Sequence, residues 1–251
     1  MLAAAGGATA AGSAPLEGAI REVQDLQRRY RNVTAVFPTA APPDSGLPVD
    51  FAGFDAIHLA AHARVDDERP WNSEIRFGGR DGLRALCARQ IAALELPAHL
   101  TVLASCESAG GALLSGEGLL GLTSAFLIAG VPAVVASLWP VDDAATARLM
   151  GSFYAELAAG RSVADALHVA RSRLREHAET AHPFYWSGFV LIGDGDVHIP
   201  LRQRRTAPRW IVPSAFILGG LGLLAPLLAR RPARRAQRQR RFTRSARRDG
   251  S

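Results

Sequence analysis

Residues 131–138 run Val131-Pro132-Ala133-Val134-Val135-Ala136-Ser137-Leu138, almost without a polar side chain. Such a run suits a strand buried on both faces, as in a parallel sheet covered by helices. Two further segments, 55–62 and 100–106, read as strands of the same kind. Helical patterns alternate with them, at 17–30, 86–94, 118–129, 143–159 and 162–177. Strands alternating with helices predict an α/β fold: an open, mostly parallel sheet with helices on both faces.

The remaining elements are shorter. Residues 1–5 read either as a shortened first strand or as a disordered start, and 32–37 as a short strand, followed by a Pro-rich loop over 38–48. In the first helix Ile20, Val23, Leu26 and Tyr30 share a face. After residue 62 a polar loop extends to about Gly82, with a hairpin around Ile75–Phe77, and Pro97 breaks the chain before the 100–106 strand. Asp142 or Asp143 caps one helix, Gly160 ends it and Ser162 opens the next. Residues 189–192 form the last strand, closed by Gly193-Asp194-Gly195.

In an open α/β sheet, ligands gather outside the carboxyl ends of the strands. Two strand-ending residues can do chemistry there, His62 and Cys106. An imidazole beside a thiol is the minimum equipment for cysteine nucleophilic catalysis, because the thiolate is the reactive form. The backbone amides of Ala63 and Cys106 are candidate oxyanion donors. His58 shares a face with His62 but lies deeper in the strand, where a core histidine is the simpler reading. The two are about 13 Å apart along an extended strand, too far to share a metal ion. Ser137-Leu138-Trp139-Pro140-Val141-Asp142-Asp143 ends the next strand on the same rim. Trp139 with Asp142 and Asp143 is a candidate substrate pocket, an aromatic wall with carboxylates suited to a basic side chain.

Other signals exclude more than they assign. Gly116-Glu117-Gly118-Leu119-Leu120-Gly121 fits the dinucleotide pattern, but a true fingerprint follows directly on a strand. No phosphate-binding Walker loop and no zinc-ligand spacing occurs, so no metal or organic cofactor is expected. Cys87 and Cys106 make no disulfide framework, and the first residues lack the basic region of a secretory signal. Both suggest a reducing compartment.

Charge divides the chain. Residues 1–200 hold 15 Arg against 22 acidic residues, a net of −7, while 201–251 hold 14 Arg against one acid, a net of +13. Residues 210–229 carry no charge and match the roughly 20 residues that span a bilayer core. The expected organisation is an α/β domain over 1–200, a basic linker over 201–209, a transmembrane helix over 210–229 and an Arg-rich disordered tail over 230–251. The Arg-rich C-terminal flank alone would place the domain outside. The absent export signal and the unpaired thiols favour a single-pass C-terminal anchor with a cytoplasmic domain. An interfacial helix with its Arg flanks on anionic lipid is the alternative. Nucleic acid is disfavoured as a partner, because the arginines directly follow the apolar segment.

Over about residues 14–194 the sequence resembles the CHAT domain, a caspase-like and separase-like cysteine peptidase family of the caspase–hemoglobinase fold. The resemblance is carried by Leu16-Glu17-Gly18-Ala19, Ile57-His58-Leu59-Ala60-Ala61-His62, Leu103-Ala104-Ser105-Cys106-Glu107-Ser108 and Gly116-Glu117-Gly118. It continues through Ala129-Gly130-Val131-Pro132, the Ser137–Asp143 stretch, Phe153-Tyr154, Ala166-Leu167 and His182-Pro183-Phe184-Tyr185-Trp186-Ser187-Gly188-Phe189. It implies endopeptidase chemistry on protein substrates, with His62 as base, Cys106 as nucleophile and no cofactor. Such domains commonly adjoin sensor modules, so a separate sensor or activator protein is an expected partner. The chain departs from the family in having Ala63 where Gly usually follows the histidine, and in a shorter first strand. A catalytically inactive scaffold of the same fold is the alternative reading.

Overall fold

The apolar runs become the centre of a six-stranded sheet. Strands β3 (Ala56–Ala60), β7 (Leu100–Leu103) and β8 (Ala133–Ser137) lie side by side. Beyond β3 come β1 (Leu2–Ala5) and β2 (Thr34–Val36); beyond β8 comes β9 (Phe189–Gly193). The order is β2-β1-β3-β7-β8-β9, and every neighbouring pair is parallel except β8 with β9. The structure is a computed structural model that describes residues 1–6, 17–37, 51, 53–66, 68–79, 82–104 and 117–204. Cys106 and the apolar segment 210–229 therefore lie outside the described residues. Among the described residues no helix is long and apolar enough to cross a membrane.

Side-chain alternation along the strands builds two cores. Ala3, Ala5, Ala56, Ala60, Val102 and Val135 face α1 (Glu17–Arg29), α4 (Asp143–Ala158) and α5 (Val163–Glu176). Leu2, Ile57, Leu59, Leu103 and Val134 face α2 (Ala88–Ala92) and α3 (Glu117–Ile128). The first set is dominated by alanine, which lets the helices settle close to the strands. The α/β sheet with helices on both faces is as the sequence predicts. Short β1 is fully buried between two parallel neighbours, so its alanines serve as strand despite their weak intrinsic preference for one.

The exception in the sheet has a simple cause. After β8 the chain makes two helical passes, α4 and α5, on one face instead of one. An even number of passes returns the chain in the opposite direction, so β9 runs antiparallel to β8. Both helices are capped from the sequence as expected. The Asp142 carboxylate accepts from the Ala145 amide at 2.9 Å, and the Ser162 hydroxyl accepts from the Asp165 amide at 3.3 Å. A short helix absent from the sequence reading, α6 (Pro183–Trp186), precedes β9.

Two expectations are corrected. The strand read over 55–62 ends at Ala60, and His62 begins a new strand, β4 (His62–Arg64). β4 pairs with β5 (Glu74–Gly79), and β5 with β6 (Gly82–Cys87), as a separate antiparallel sheet. The break at Ala61 lies against Gly6: a Cβ there would stand 2.8 Å from the Ala61 Cα. The helix expected from residue 86 begins only at Ala88, because Leu86 is drawn into β6 opposite Ile75, both buried in the second core. Pairing with β5 outweighs the local helical pattern there.

Gly193 closes β9 with φ +98°, and a Cβ on it would fall 2.1 Å from the Pro132 carbonyl oxygen. That carbonyl accepts from the Asp194 amide at 2.8 Å. Gly193→Ala combines a left-handed backbone with a steric collision, so it is expected to cost well over ~1 kcal/mol of stability. A urea titration reads it, and a loss under about 0.5 kcal/mol would contradict this account.

Candidate active site

The candidate site residues follow the point where β3 leaves the sheet. Leu59 of β3 pairs in register with Leu103 of β7, and the Ala104 amide donates to the Leu59 carbonyl at 3.0 Å. The two strands thus run out together at their carboxyl ends. His62 follows Leu59 by three positions and is half-buried. The turn at Ala61 swings it out of the parallel sheet into β4, opposite Arg76. His62, Arg64, Glu74 and Arg76 share that face of the small sheet, with Arg76 Nε donating to Glu74 Oε1 at 2.8 Å. Cys106 follows Leu103 by three positions in the sequence.

Ala63 is buried opposite Ile75. No described non-glycine residue has a positive φ, so Ala63 sits in a conformation any residue adopts. The alanine in place of the family's usual glycine therefore carries no backbone strain.

The other predicted site residues are divided between tasks. Trp139 lies half-buried past β8, stacked on Phe184 with ring centroids 6.4 Å apart and planes at 23°. Its indole Nε1 donates to the Phe184 carbonyl at 3.1 Å. Gly188 permits this packing, since a Cβ there would reach 3.1 Å from the Trp139 ring. Phe184 stays 43% exposed, which makes the pair a two-ring surface beside the rim. The carboxylate of Asp142 is taken up in capping α4. Asp143 turns to α1 instead: a Cβ on Gly18 would lie 2.8 Å from its carboxylate oxygen. Asp143 thus stands over the first turn of α1, where a negative charge is favourable. Trp139, Asp142 and Asp143 are close in sequence, yet the two carboxylates are held by different helices.

Beneath the rim His58 is the core histidine that the sequence predicts, with partners that sequence reasoning left out. His58 is fully buried in β3, with Nδ1 2.8 Å from the Tyr154 hydroxyl and Nε2 3.4 Å from Glu22 Oε1. The Tyr154 ring meets the imidazole edge-on. Burial pulls His58 down to about 3 and pushes Glu22 up to about 8, the neighbouring Asp143 and Asp25 adding to the latter. Near pH 7 the two are therefore a neutral imidazole and a largely protonated carboxyl. Despite their separation they do not form an ion pair. The signal for Glu22 was present: it precedes Leu26 by four and Tyr30 by eight, on the buried stripe of α1. Phe184 had no comparable signal, because its partner lies 45 residues away.

The Gly116–Gly121 pattern has a packing explanation at its one described glycine side. Gly121 lies inside α3, and a Cβ on it would come 2.6 Å from the Pro70 carbonyl oxygen. It admits close contact between α3 and the 3₁₀ turn Pro70–Asn72. Among the described residues no group of three His, Cys, Asp or Glu is placed to hold a metal ion.

The shifted pair sets a pH dependence. Folded Glu22 keeps its proton to about pH 8, whereas the unfolded chain releases it near 4.5, so stability falls as pH rises between them. Folded His58 stays neutral down to about pH 3 while the unfolded chain protonates near 6.5, so its contribution is lost as pH falls through that window. From pH 6.5 to 8 only the Glu22 effect operates. The protein is expected to lose on the order of 1–2 kcal/mol over that range, and Glu22→Gln to flatten the loss. Urea midpoints of both proteins at pH 6.5 and 8.5 test this. An equal decline in the two would assign it elsewhere.

Tetratricopeptide repeat protein 28 from Homo sapiens is 37% identical over 108 residues, which cover 43% of this chain and 4% of that protein. Its Mus musculus counterpart matches to the same extent, so the chain spans a small fraction of the curated relatives it matches. A family model described as the CHAT domain matches residues 5–194, most of the chain and the whole of the central sheet up to Gly193 apart from the first residues of β1. With its parallel sheet, its two helical layers and this match, the chain belongs to the CHAT domain family.

Proposed function

We propose that this chain is a cysteine endopeptidase that cleaves protein substrates with His62 as base and Cys106 as nucleophile. The observation that carries this reading is the shared exit of β3 and β7. Leu59 and Leu103 are paired, and His62 and Cys106 each follow them by three positions in the sequence. Neighbouring strands are about 4.8 Å apart, and three residues reach at most about 10 Å. A contact between imidazole and thiol is therefore within reach of the chain. His62 takes the Cys106 proton, the thiolate attacks the peptide carbonyl, and the amides of Ala63 and Cys106 hold the oxyanion. The imidazolium protonates the leaving amine, and water then hydrolyses the acyl-enzyme. No cofactor enters this scheme.

Substrate lies across the rim in this reading, against the Trp139–Phe184 surface and near Asp142 and Asp143. Of the two acids, Asp143 is the one whose carboxylate is free of a capping bond, which makes it the better candidate for a basic side chain.

The test is covalent labelling of the full-length protein by an Arg-terminated acyloxymethyl ketone. Labelling at Cys106 is expected, falling to background in Cys106→Ala and by at least ~100-fold in rate in His62→Ala. A folded protein whose Cys106 resists both this probe and a small thiol reagent would instead be an inactive scaffold.

The membrane reading rests on the uncharged 210–229 stretch and the arginines on both sides of it. It makes the protein a C-terminally anchored one with its domain in the cytoplasm, regulated by a separate sensor or activator. The full-length chain is expected to float with liposomes containing anionic lipid, and a chain ending at residue 209 to stay behind. Flotation of both would remove the anchor from this segment.

A further inference from the structure

Helices α1 and α4 do not close fully on each other. A cleft of about 620 Å³ separates them, lined by α1 from Glu17 to Tyr30 and by α4 from Asp143 to Tyr154. At about 1.5 Å per residue it is close to 20 Å long. Gly151 keeps it open at one end. This glycine lies within a 16-residue helix, where glycine costs up to about 1 kcal/mol against alanine, and a Cβ on it would touch none of the described residues within 4 Å. A helix that forgoes a side chain facing empty space is the first sign that the space has a use.

The second sign is the chemistry of the lining. Glu22 is only 9% exposed, its Oε1 lies 3.4 Å from His58 Nε2, and among the described residues it makes no hydrogen bond. Around it stand Asp25 from the same helix and Asp143 from α4, both close enough to disfavour its charge. Among the cleft's own cations, Arg21 is paired with Glu17 on the surface of α1, and Arg29 lies at the far end. Asp25 is held by Arg28, an exposed pair of the weak kind. Neither Glu22 nor Asp143 pairs with an arginine among the described residues. Leu26, Ala147, Met150 and the Tyr154 ring supply apolar wall between these acids.

From this geometry we infer that the α1–α4 cleft is a binding site for an aliphatic cation, an alkylguanidinium or alkylammonium group. Its charge sits at Glu22, Asp143 and Asp25, and its stem lies along Leu26 and Met150. The ligand is a free amine or an arginine side chain of a polypeptide; the cleft recognises what the two share. Because Glu22 is largely protonated at pH 7, the cation binds by displacing a proton, and binding tightens as pH rises toward 8. The cleft shares Asp143 with the proposed substrate surface but uses neither His62 nor Cys106, so calorimetry in a Cys106→Ala protein tests it apart from the peptidase reading.

The experiment is isothermal calorimetry on the full-length protein at pH 7, in phosphate and in Tris. The probes are agmatine, Nα-acetyl-argininamide and butylammonium. Saturable binding is expected, with a heat difference between buffers corresponding to nearly one proton released. Glu22→Gln should weaken binding by roughly tenfold or more and abolish the proton release. Gly151→Leu, which fills the cleft from a position with room for it, should abolish binding while keeping the circular dichroism and urea midpoint of the folded protein. Binding of agmatine alone identifies a free ligand, and binding of the argininamide as well identifies a peptide side chain; both support the site. The inference is overturned if no probe binds below about ten millimolar, if binding releases no proton, or if it survives Gly151→Leu in a folded protein.

Discussion

The structure depends on the parallel pairing of β3 between β1 and β7. It joins residues that are far apart in the chain, Leu2 to Ile57 and Leu59 to Leu103, and everything functional is measured from it. The pairing aligns the strand ends and so defines the rim. It buries His58 at the middle of β3, where burial decides its charge. It also brings Gly6 against Ala61, so that the end of β1 abuts the point where β3 turns aside. Without that turn, His62 would remain part of the sheet.

Small residues at contact points do much of the positioning. Gly6 against Ala61, Gly18 against the Asp143 carboxylate, Gly121 against Pro70 and Gly188 against Trp139 each allow an approach that a single methyl group would prevent. The alanines on the α1–α4 face of the sheet act in the same way over a larger area. The layers can then meet at short range around a few polar side chains. Buried polar groups are costly unless satisfied, and the Glu22–His58–Tyr154 group meets that cost in an unusual manner. It holds hydrogen-bonding atoms together but leaves the carboxyl without a cation. At Gly151 in α4 a side chain would meet none of the described residues within 4 Å.

Much of the fold was legible because its signals are local. The apolar run around Val134, the caps at Asp142 and Ser162 and the positive-φ stop at Gly160 all depend on near neighbours. The readings failed where long-range pairing overrode them. Leu86 follows a helical pattern but is claimed by Ile75 across a ladder, and His62 continues a strand pattern but is claimed by Arg76. The site followed the same rule. His62 was proposed from the end of an apolar strand pattern, though it opens β4 in the structure, and Trp139 from its place after the next strand. Phe184 and Gly188 reach Trp139, and Glu22 and Tyr154 reach His58, only through the fold.

The amino-acid sequence by itself determined the class of architecture, the two helical layers, the family and the residue types available for chemistry. Each of these follows from periodicity, capping or an ordered set of motifs, which are properties of short stretches of chain. Only the tertiary structure decided the course of the chain at Ala61, the direction of β9, the separate tasks of Asp142 and Asp143 and the neutral state of the buried histidine. Those depend on which distant segments exclude water from one another, and burial is a property of the assembled layers, not of any one of them.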